Sequence, residues 1–191
     1  MTLTKGQFAP QFETEDILGN PLRLSELTGR KVLLSFWRNT NCPLCSLFLY
    51  KLIRQAEEWK AKGLEILVFY ESDKKMFLRS PFFMNDVLKR GCLRLVSDPQ
   101  RKIYDLYRVE VSPQKARLEV LEAAGRFPSV AEAGKLGFEG DGEEAGTNFA
   151  AIPADFLLNA KHQLELTRYG QDAGDNIPLE VIARFVLTGK V

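Results

Sequence analysis

The sequence predicts an α/β fold in which a central mixed β-sheet carries helices on both faces. Three features of the chain lead to this prediction: two short apolar segments separated by a long amphipathic one, further alternating strand and helix patterns, and a late hairpin followed by a helix. The 191 residues are enough for one domain with a full-sized core. We therefore expect residues 1–191 to fold as a single domain.

The first two strands and the helix between them are the best-defined part of the pattern. Residues 32–37 and residues 64–70 are apolar runs rich in β-branched and aromatic side chains, as is typical of buried strands. Residues 44–62 between them have helical periodicity, and Gly63 is well placed to end that helix in the left-handed conformation. The apolar face of this helix consists of Leu49, Leu52, Ile53, Ala56 and Trp59. This order predicts two parallel strands joined by a right-handed crossover.

Weaker patterns predict the rest of the sheet and its helices. The predicted helices are residues 74–90, with a break near Pro81, and residues 100–108, 113–124 and 179–187, the last opened by Pro178. The predicted strands are residues 93–96 and the two halves of a hairpin, residues 155–158 and 163–168. Residues 134–146 are rich in glycine and acidic side chains, and they predict a long, flexible surface loop.

Composition and charge exclude several classes of function. Lysine and arginine together number 26, and aspartate and glutamate 25, which gives a net charge of +1. A balanced chain lacks the basic surface that nucleic acids and anionic membranes attract, so we expect neither as a partner. The sequence shows neither a signal peptide nor a run of apolar residues long enough to span a bilayer, and we expect a cytoplasmic protein.

The three cysteines are Cys42, Cys45 and Cys92. Small secreted domains that disulfides hold together have more cysteines than this, and usually an even number of them. In a reducing compartment, the close pair of Cys42 and Cys45 is instead typical of a catalytic or metal-binding site.

The position of this pair favours redox chemistry. Cys42 falls where the first long strand gives way to the helix, and Pro43 fits the first position of that helix, so Cys42 is its N-cap. The amide of Cys45 can then donate to the Cys42 sulfur, and the helix dipole favours a thiolate there. We expect Cys42 to attack at the accessible helix end and the more buried Cys45 to close the disulfide. Arg38 adds positive charge near the thiolate.

Other interpretations of the cysteines are weaker. A structural zinc site needs four ligands, and Cys92 and His162 are the only further soft ligands and are far apart in the sequence, so we expect no metal. Cys92 begins an apolar strand and is expected to be a small buried side chain, with a resolving role as the alternative. His162 lies in the predicted hairpin turn and is expected to be exposed to solvent. The pair could also be idle in a domain used for binding.

Several short segments resemble the AhpC/TSA (redoxin) family of peroxiredoxin-like proteins, which has the thioredoxin fold. The segments that carry the resemblance are Gly6-Gln7-Phe8-Ala9-Pro10-Gln11-Phe12, Asp16-Ile17-Leu18-Gly19 with Leu24-Ser25-Glu26-Leu27-Thr28-Gly29, Phe36-Trp37-Arg38 before Cys42-Pro43-Leu44-Cys45, Ile152-Pro153-Ala154-Asp155-Phe156, and Tyr169-Gly170 with Gly174-Asp175-Asn176-Ile177-Pro178. The third segment is similar to a subgroup with the pattern R-x-x-x-C-P-x-C. The resemblance covers nearly the whole chain and implies a thioredoxin-like fold.

The resemblance also implies a substrate site around the cysteine pair. It implies a cis peptide between Ile152 and Pro153 that faces the cysteines, with exposed backbone at Pro153 to which a substrate segment could add as a strand. It places Asp155 at the entry of the next strand, either near the thiols or as a partner of a strand-end turn. The substrate-binding residues expected on this basis are Trp37, Thr40, Pro43, Ile152, Pro153 and Asp155.

The chain departs from the peroxidase pattern of the family at two places. Asn39 stands three residues before Cys42, where true peroxiredoxins have Thr or Ser. Ile152 and Pro153 stand about where those enzymes carry a catalytic arginine. These departures favour disulfide exchange, or a peroxidase with an altered site.

We therefore predict a thiol-dependent oxidoreductase of antioxidant type, which acts by thiol–disulfide exchange or peroxide reduction through Cys42 and Cys45. It binds no cofactor and uses an external thiol reductant, such as a thioredoxin or glutathione system. Its substrate is a disulfide-bearing protein or a peroxide, and the chain is a monomer or a homodimer. The alternative is a redox-sensing or protein-binding module without turnover, with the loop at residues 134–146 as its partner-binding segment.

Overall fold

The computed structural model describes residues 2–191, and within them it contains seven strands and six α-helices. The strands are β1 (Glu13–Glu15), β2 (Pro21–Arg23), β3 (Lys31–Trp37), β4 (Leu64–Tyr70), β5 (Arg94–Ser97), β6 (Ala154–Leu158) and β7 (Leu164–Tyr169). The α-helices are α1 (Pro43–Ala61), α2 (Lys74–Arg79), α3 (Lys102–Leu106), α4 (Leu118–Ala123), α5 (Phe127–Lys135) and α6 (Leu179–Thr188). Among these described helices, none combines the length and the apolar character that crossing a bilayer requires.

The central sheet has five strands in the order β5-β4-β3-β6-β7. β3, β4 and β5 run parallel, whereas β6 pairs antiparallel with both β3 and β7. β1 and β2 form a separate antiparallel ribbon. The predicted mixed sheet, the parallel β3-α1-β4 unit and the late hairpin are therefore confirmed.

Each face of the sheet buries its own apolar cluster, because successive side chains of a strand point to opposite faces. Leu33 and Trp37 of β3 join side chains of α1 and α6 on one face. Leu34 and Phe36 join side chains of α3 on the other face. Each fully buried leucine or phenylalanine stabilises the fold by about 1.5–3 kcal/mol. Helices thus cover both faces, as the sequence predicts.

Helix α1 has the ends that its sequence predicts. Cys42 is the N-cap and Pro43 the first helical residue, while Gly63 follows the C-terminus with a φ of 87°. This φ lies in the left-handed region, which glycine adopts without steric cost. The predicted apolar face of α1 is buried. The chain thereby brings Cys42 to the edge of the sheet at which β3 and β4 end.

The segment between β5 and β6 differs from its prediction. The helix expected over residues 113–124 is reduced to α4, and α5 occupies residues that carry no helical prediction. Gly125 and Pro128 obscure the short helical pattern of α5, which forms because it packs against α1 through the buried Ala133. The irregular loop consequently begins only after Lys135.

His162 lies in the turn between β6 and β7, but it is buried rather than exposed, with 3% of its surface accessible. The prediction of a solvent-exposed histidine is therefore wrong. The reason is that the N-terminal segment packs over this turn. Ala9 N donates to His162 O at 2.9 Å, and Gly6 N donates to Leu164 O at 2.7 Å.

Candidate active site

The cysteine pair lies in the first turn of α1. Cys42 Sγ accepts a hydrogen bond from the amide of Cys45 at 3.3 Å, which is the N-cap contact that the sequence predicts. The Cys45 thiol donates to Cys42 Sγ, and the two sulfur atoms are 2.6 Å apart. Both cysteines are free thiols. The two sulfurs are thus placed so that, once one of them has been oxidised, the other can attack it and form a disulfide.

The surroundings of the pair separate the proton affinities of the two thiols. Burial by itself raises the pKa of Cys42, but the hydrogen bond from the Cys45 thiol, the positive charge of Arg38 and the Cys45 amide outweigh it and lower this pKa to about 6. Burial and the neighbouring Cys42 thiolate hold the pKa of Cys45 well above its ordinary value. At neutral pH the pair therefore contains one thiolate, at Cys42, and one thiol, at Cys45.

Arg38 follows β3 and is held beside the pair by a segment far along the chain. Its Nη1 donates to the carbonyl of Phe149 at 2.9 Å, and its guanidinium lies 5.0 Å from the centre of the Phe149 ring. Burial lowers the pKa of Arg38, but the negative charge of the cysteine pair, which resides on Cys42, more than compensates, so the guanidinium stays charged. This geometry supports the electrostatic role that the sequence suggests for Arg38.

Residues 138–149, which we call the strap, lie across the segment that leads into Cys42. Each of the four residues before Cys42, residues 38–41, donates at least one side-chain hydrogen bond to the strap. These bonds are Arg38 Nη1 to Phe149 O (2.9 Å), Asn39 Nδ2 to Gly142 O (2.8 Å) and Thr147 Oγ1 (2.9 Å), Thr40 Oγ1 to Glu144 Oε2 (2.6 Å), and Asn41 Nδ2 to Asp141 Oδ1 (2.8 Å) and Glu143 O (2.9 Å). The acidic, glycine-rich loop of the prediction is therefore part of the site.

Cys42 is fully buried under this arrangement, with 0% of its surface accessible. The expectation that its sulfur sits at an open helix end is wrong, because a helix N-terminus is open only if no other segment covers it. A cleft of about 490 Å³ nevertheless reaches Cys42 from one side. Its lining includes Thr40, Pro43, Tyr50 and Phe82. Of the predicted substrate-binding residues, Thr40 and Pro43 line this cleft.

Trp37 belongs to the core behind the site and not to its surface. Only 1% of it is accessible, and its ring makes edge contacts with Phe48 and Tyr70 at centroid distances of 5.5 and 5.4 Å. A substrate cannot contact it in this arrangement. Trp37 instead supports the site through packing.

The structure also corrects the expectation at Ile152 and Pro153. Residues 2–191 contain no cis peptide bond, in keeping with the preference of about 0.5–1 kcal/mol for the trans form before proline. Both residues are buried, Ile152 N donates to Glu110 O at 3.1 Å, and Pro153 O accepts from Gly170 N at 2.9 Å. This backbone is already paired, so it offers no exposed edge to a substrate strand.

Asp155 is enclosed in the sheet and cannot contact a substrate. It accepts hydrogen bonds from the Ser35 hydroxyl of the neighbouring strand and, at 2.7 Å, from the amide of Ile177. Burial raises its pKa to about 7, although both hydrogen bonds act in the opposite direction. Asp155 therefore ties β6 to the chain before α6, which agrees with the turn-partner alternative.

Tyr70 is a residue of the site that the sequence analysis misses. It ends β4 beside Trp37, is fully buried, and its hydroxyl has no hydrogen-bond partner among the described residues. Burial first, and then the negative charge of the neighbouring cysteine pair, raise its pKa. Its position gives the signal that could have found it, since sites in such folds form where parallel strands end.

Cys92 takes no part in the pair. It is 2% accessible and lies near Lys60, at the far end of α1, which is about 20 Å from Cys45 at 1.5 Å per helical residue. The alternative of a resolving role is therefore wrong within this structure.

Among residues 2–191, no group of three or more histidine, cysteine, aspartate or glutamate side chains is arranged to hold a metal ion.

We expect the alkylation rate of Cys42 by iodoacetamide to rise with pH around a midpoint near 6, because only the thiolate reacts. In an Arg38→Met variant the midpoint should move up by about one unit or more, since an attractive charge is lost. The rate at pH 7 should fall accordingly. Arg54→Met, which removes an exposed arginine of α1, serves as the control. A midpoint of about 8.5, the ordinary value, in the unchanged protein would contradict this prediction.

Residues 5–166 match the AhpC/TSA family. The thiol-disulfide oxidoreductase ResA of Bacillus subtilis is 30% identical over 112 residues, which are 59% of this chain and 60% of that protein. The chain thus spans less than two thirds of the length of this curated relative.

Solved structures share the fold at low sequence identity. A thiol:disulfide interchange protein, DsbE, described as putative, from Chlorobium tepidum has a TM-score of 0.58 at 20% identity, with 97% of this chain and 99% of that chain covered. A mutant of Peroxiredoxin 6 from Arenicola marina has a TM-score of 0.67 at 14% identity, with coverages of 97% and 73%. These similarities confirm the thioredoxin-like fold that the resemblance implies.

Proposed function

The chain belongs to the AhpC/TSA family, and from this premise we propose that it is a thiol-dependent oxidoreductase with Cys42 as the attacking and Cys45 as the resolving cysteine. The observation that carries the proposal is the contact of the two free thiols at the start of α1, with their sulfurs 2.6 Å apart. The similarity to a protein named thiol-disulfide oxidoreductase supports the same chemistry.

The reaction has two oxidative steps when the substrate is a hydroperoxide. The Cys42 thiolate attacks the terminal oxygen, the O–O bond breaks, and the alkoxide takes a proton from solvent and leaves as an alcohol, or as water when the substrate is hydrogen peroxide. Cys42 is then a sulfenic acid. Cys45 attacks its sulfur, an S–S bond forms, and water leaves.

With a disulfide substrate, the same two cysteines act by exchange. Cys42 attacks one sulfur of the substrate and the other leaves as a thiol. Cys45 then attacks Cys42 in the mixed disulfide and releases the second substrate thiol. In both cases the product is the Cys42–Cys45 disulfide, and an external thiol reductant, either one dithiol or two monothiols, must supply two electrons to restore the two thiols. A thioredoxin or glutathione system in the cytoplasm is the donor and the setting that we propose.

The difference between the two thiols fits this order of events. With the pKa of Cys42 near 6, most of this cysteine is thiolate at pH 7, and the positive charge of Arg38 stabilises it. Cys45 keeps its proton until Cys42 has been oxidised, because burial and the adjacent thiolate oppose its ionisation. Loss of the Cys42 negative charge on oxidation removes part of that opposition. Cys45 is thereby activated when it is needed.

The experiment that tests the proposal uses a Cys92→Ser protein, in which only the pair remains. One equivalent of hydrogen peroxide should oxidise it, and peptide mapping should identify a disulfide between Cys42 and Cys45. Dithiothreitol should then restore both thiols, and repeated cycles should consume peroxide or reduce the disulfides of insulin. If the thiols stay free after oxidant is added, or if the protein turns over neither substrate, the proposal is wrong.

A second candidate function is a redox sensor without turnover. The observation that favours it is the complete burial of Cys42 beneath the strap, because oxidation there would disturb the contacts of residues 38–41 with the strap. A sensor would form its disulfide slowly and only once, even with excess reductant present. The cycling experiment separates the two candidates, since only an enzyme consumes many equivalents of oxidant.

A further inference from the structure

We propose that the strap is the specificity-determining element of this site: it excludes protein disulfides from Cys42 and leaves the cleft beside Pro43 as the route for a small hydroperoxide. This inference rests on the proposed thiol chemistry of Cys42 and adds the class of substrate. It is carried by three observations, namely the hydrogen bonds of the strap, the close approach of two of its glycines, and the location of the cleft.

The hydrogen bonds hold the strap against the residues that lead into the helix. Each of residues 38, 39, 40 and 41 donates at least one side-chain hydrogen bond to the strap, at distances of 2.6–2.9 Å. In addition, Gly142 N donates to the backbone carbonyl of Asn41 at 3.2 Å. Contacts at four consecutive positions close the approach to the N-terminus of α1 from this side.

Two glycines allow this close approach. A Cβ atom at Gly140 would lie 2.2 Å from the carbonyl oxygen of Asn41, and one at Gly142 would lie 2.4 Å from Nη2 of Arg38. Real Cβ atoms do not come so close to other heavy atoms. At Gly140 the added atom meets backbone, so a side chain there must push the strap away, whereas at Gly142 it meets the end of the Arg38 side chain, which can move instead. Gly142 also has a φ of 79°, which lies in the left-handed region. Glycine is therefore the residue that fits both positions.

A protein disulfide cannot reach Cys42 while the strap is in place. The sulfur to be attacked is attached to a folded or extended chain on both sides, and this chain needs an open surface around the thiolate. Cys42 has 0% accessible surface, and the backbone at Pro153, the one edge expected to receive a substrate strand, is paired with Gly170. Exchange with a protein would require the strap to open first.

The cleft of about 490 Å³ has the dimensions of a small-molecule site. It lies between α1, residues 80–90 after α2, and residues 136–140, and both Cys42 and Pro43 are among its lining residues. Tyr50, Phe82 and Phe138 provide aromatic walls. Cys42 is one of the residues that line the cleft, so a compact hydroperoxide inside it needs only a local side-chain movement to bring its terminal oxygen to the buried sulfur, whereas a protein disulfide needs the strap to open.

The test compares glycine variants that differ in what the added methyl group meets. Gly140→Ala forces the strap away from the backbone of Asn41, whereas Gly146→Ala, also in the strap, meets no atom within 4 Å. Gly134→Ala, which meets nothing within 4 Å either, is a second control for Gly140→Ala. Asn41→Ala, which removes two hydrogen bonds to the strap, provides a second way to loosen it. Thermal unfolding verifies that each variant is folded.

Two rates are measured for every protein: insulin reduction and cumene hydroperoxide consumption, each with dithiothreitol. In addition, Cys42 is labelled with iodoacetamide and with a polyethylene-glycol maleimide. We expect the unchanged protein and both controls to react with the hydroperoxide and the small reagent, but slowly with insulin and the bulky one. The variants that loosen the strap should react about tenfold or more faster with insulin and the bulky reagent, because the competent open state gains population.

The outcomes distinguish this inference from the proposed function. If the unchanged protein reduces insulin as fast as Gly140→Ala and Asn41→Ala do, the strap selects nothing, although the thiol chemistry stands. If the unchanged protein turns over neither insulin nor the hydroperoxide, both proposals are wrong. A selective increase with insulin in the loosened variants, absent from Gly146→Ala and Gly134→Ala, supports the strap.

Discussion

Replacement of Cys42 by serine is expected to lower turnover of every oxidant by at least about a thousandfold, the scale on which loss of a nucleophile acts. A serine hydroxyl is not ionised at neutral pH and cannot replace the thiolate. The fold should survive, because serine is a good N-cap residue and its oxygen can accept from the amide of Cys45. The expected loss is therefore chemical in origin and not a consequence of unfolding.

Replacement of Cys45 by serine should have a different effect on the two halves of the reaction. Cys42 should still react once with a hydroperoxide, but the sulfenic acid then persists because no second thiol lies within reach. A sulfenic-acid probe should label Cys45→Ser and leave Cys42→Ser unlabelled, and stopped-flow kinetics should show a single fast turnover followed by arrest. Cys92→Ser should behave like the unchanged protein, because the Cys92 thiol that it removes is buried about 20 Å from the cysteine pair.

The result that would contradict these roles is also specific. If Cys45→Ser lost the first, fast reaction and Cys42→Ser kept it, Cys45 would be the attacking residue. Equal and full activity of both variants would show that the pair is idle. Either finding would conflict with the division of pKa values in the site.

Asp155→Asn is expected to change how the stability of the fold depends on pH. The pKa of Asp155 is raised from 3.8 in the unfolded chain to about 7 in the folded protein. Its contribution to stability is complete below pH 4 and is lost as the pH rises through 7, because the unfolded chain releases this proton more readily. A difference of about three units corresponds to about 4 kcal/mol of unfolding free energy.

Asparagine should retain the two hydrogen bonds without a proton to lose. Its oxygen can accept from Ile177 N, and its amide can donate to the Ser35 hydroxyl. Urea unfolding at pH 4, 5.5, 7 and 8.5 should then show the unfolding free energy of the unchanged protein falling relative to that of Asp155→Asn across this range. Other groups titrate alike in both proteins, so the difference between them isolates Asp155.

Asp86→Asn is a suitable control, because Asp86 is exposed and the substitution removes the same charge. Its difference from the unchanged protein should not vary in this way with pH. Parallel stability curves for Asp155→Asn and the unchanged protein would show that Asp155 is ionised in the fold at all of these values. Such a result would also mean that water reaches the carboxylate between Ser35 and Ile177.

Local patterns were sufficient for the elements that the chain builds from neighbouring residues. The apolar runs of β3 and β4, the face of α1, its Cys42 N-cap and the Gly63 end depend on spacings within one helix or strand. The contact between Cys42 and Cys45 is of the same kind, since one helical turn brings their sulfurs together. This explains why the sequence alone leads to the cysteine pair of the candidate site.

Contacts between distant residues decided the remainder of the site. Asn39 and Gly142 are separated by 103 positions, and Arg38 and Phe149 by 111, yet these pairs hold the strap against the residues before Cys42 and fix the position of the guanidinium. Composition suggests a loop at residues 134–146 but contains no information on the surface that receives it.

The difference between contacts within one element and contacts between distant residues explains which features the sequence alone determined and which predictions were wrong. Periodicity and capping specify which segments are strands and helices, and they place a reactive sulfur at the start of α1, because these features depend on short-range geometry. Burial depends on which segments pack on which others. Only the tertiary structure could therefore show the strap over Cys42, the paired backbone at Pro153, the enclosed Asp155 and the buried His162.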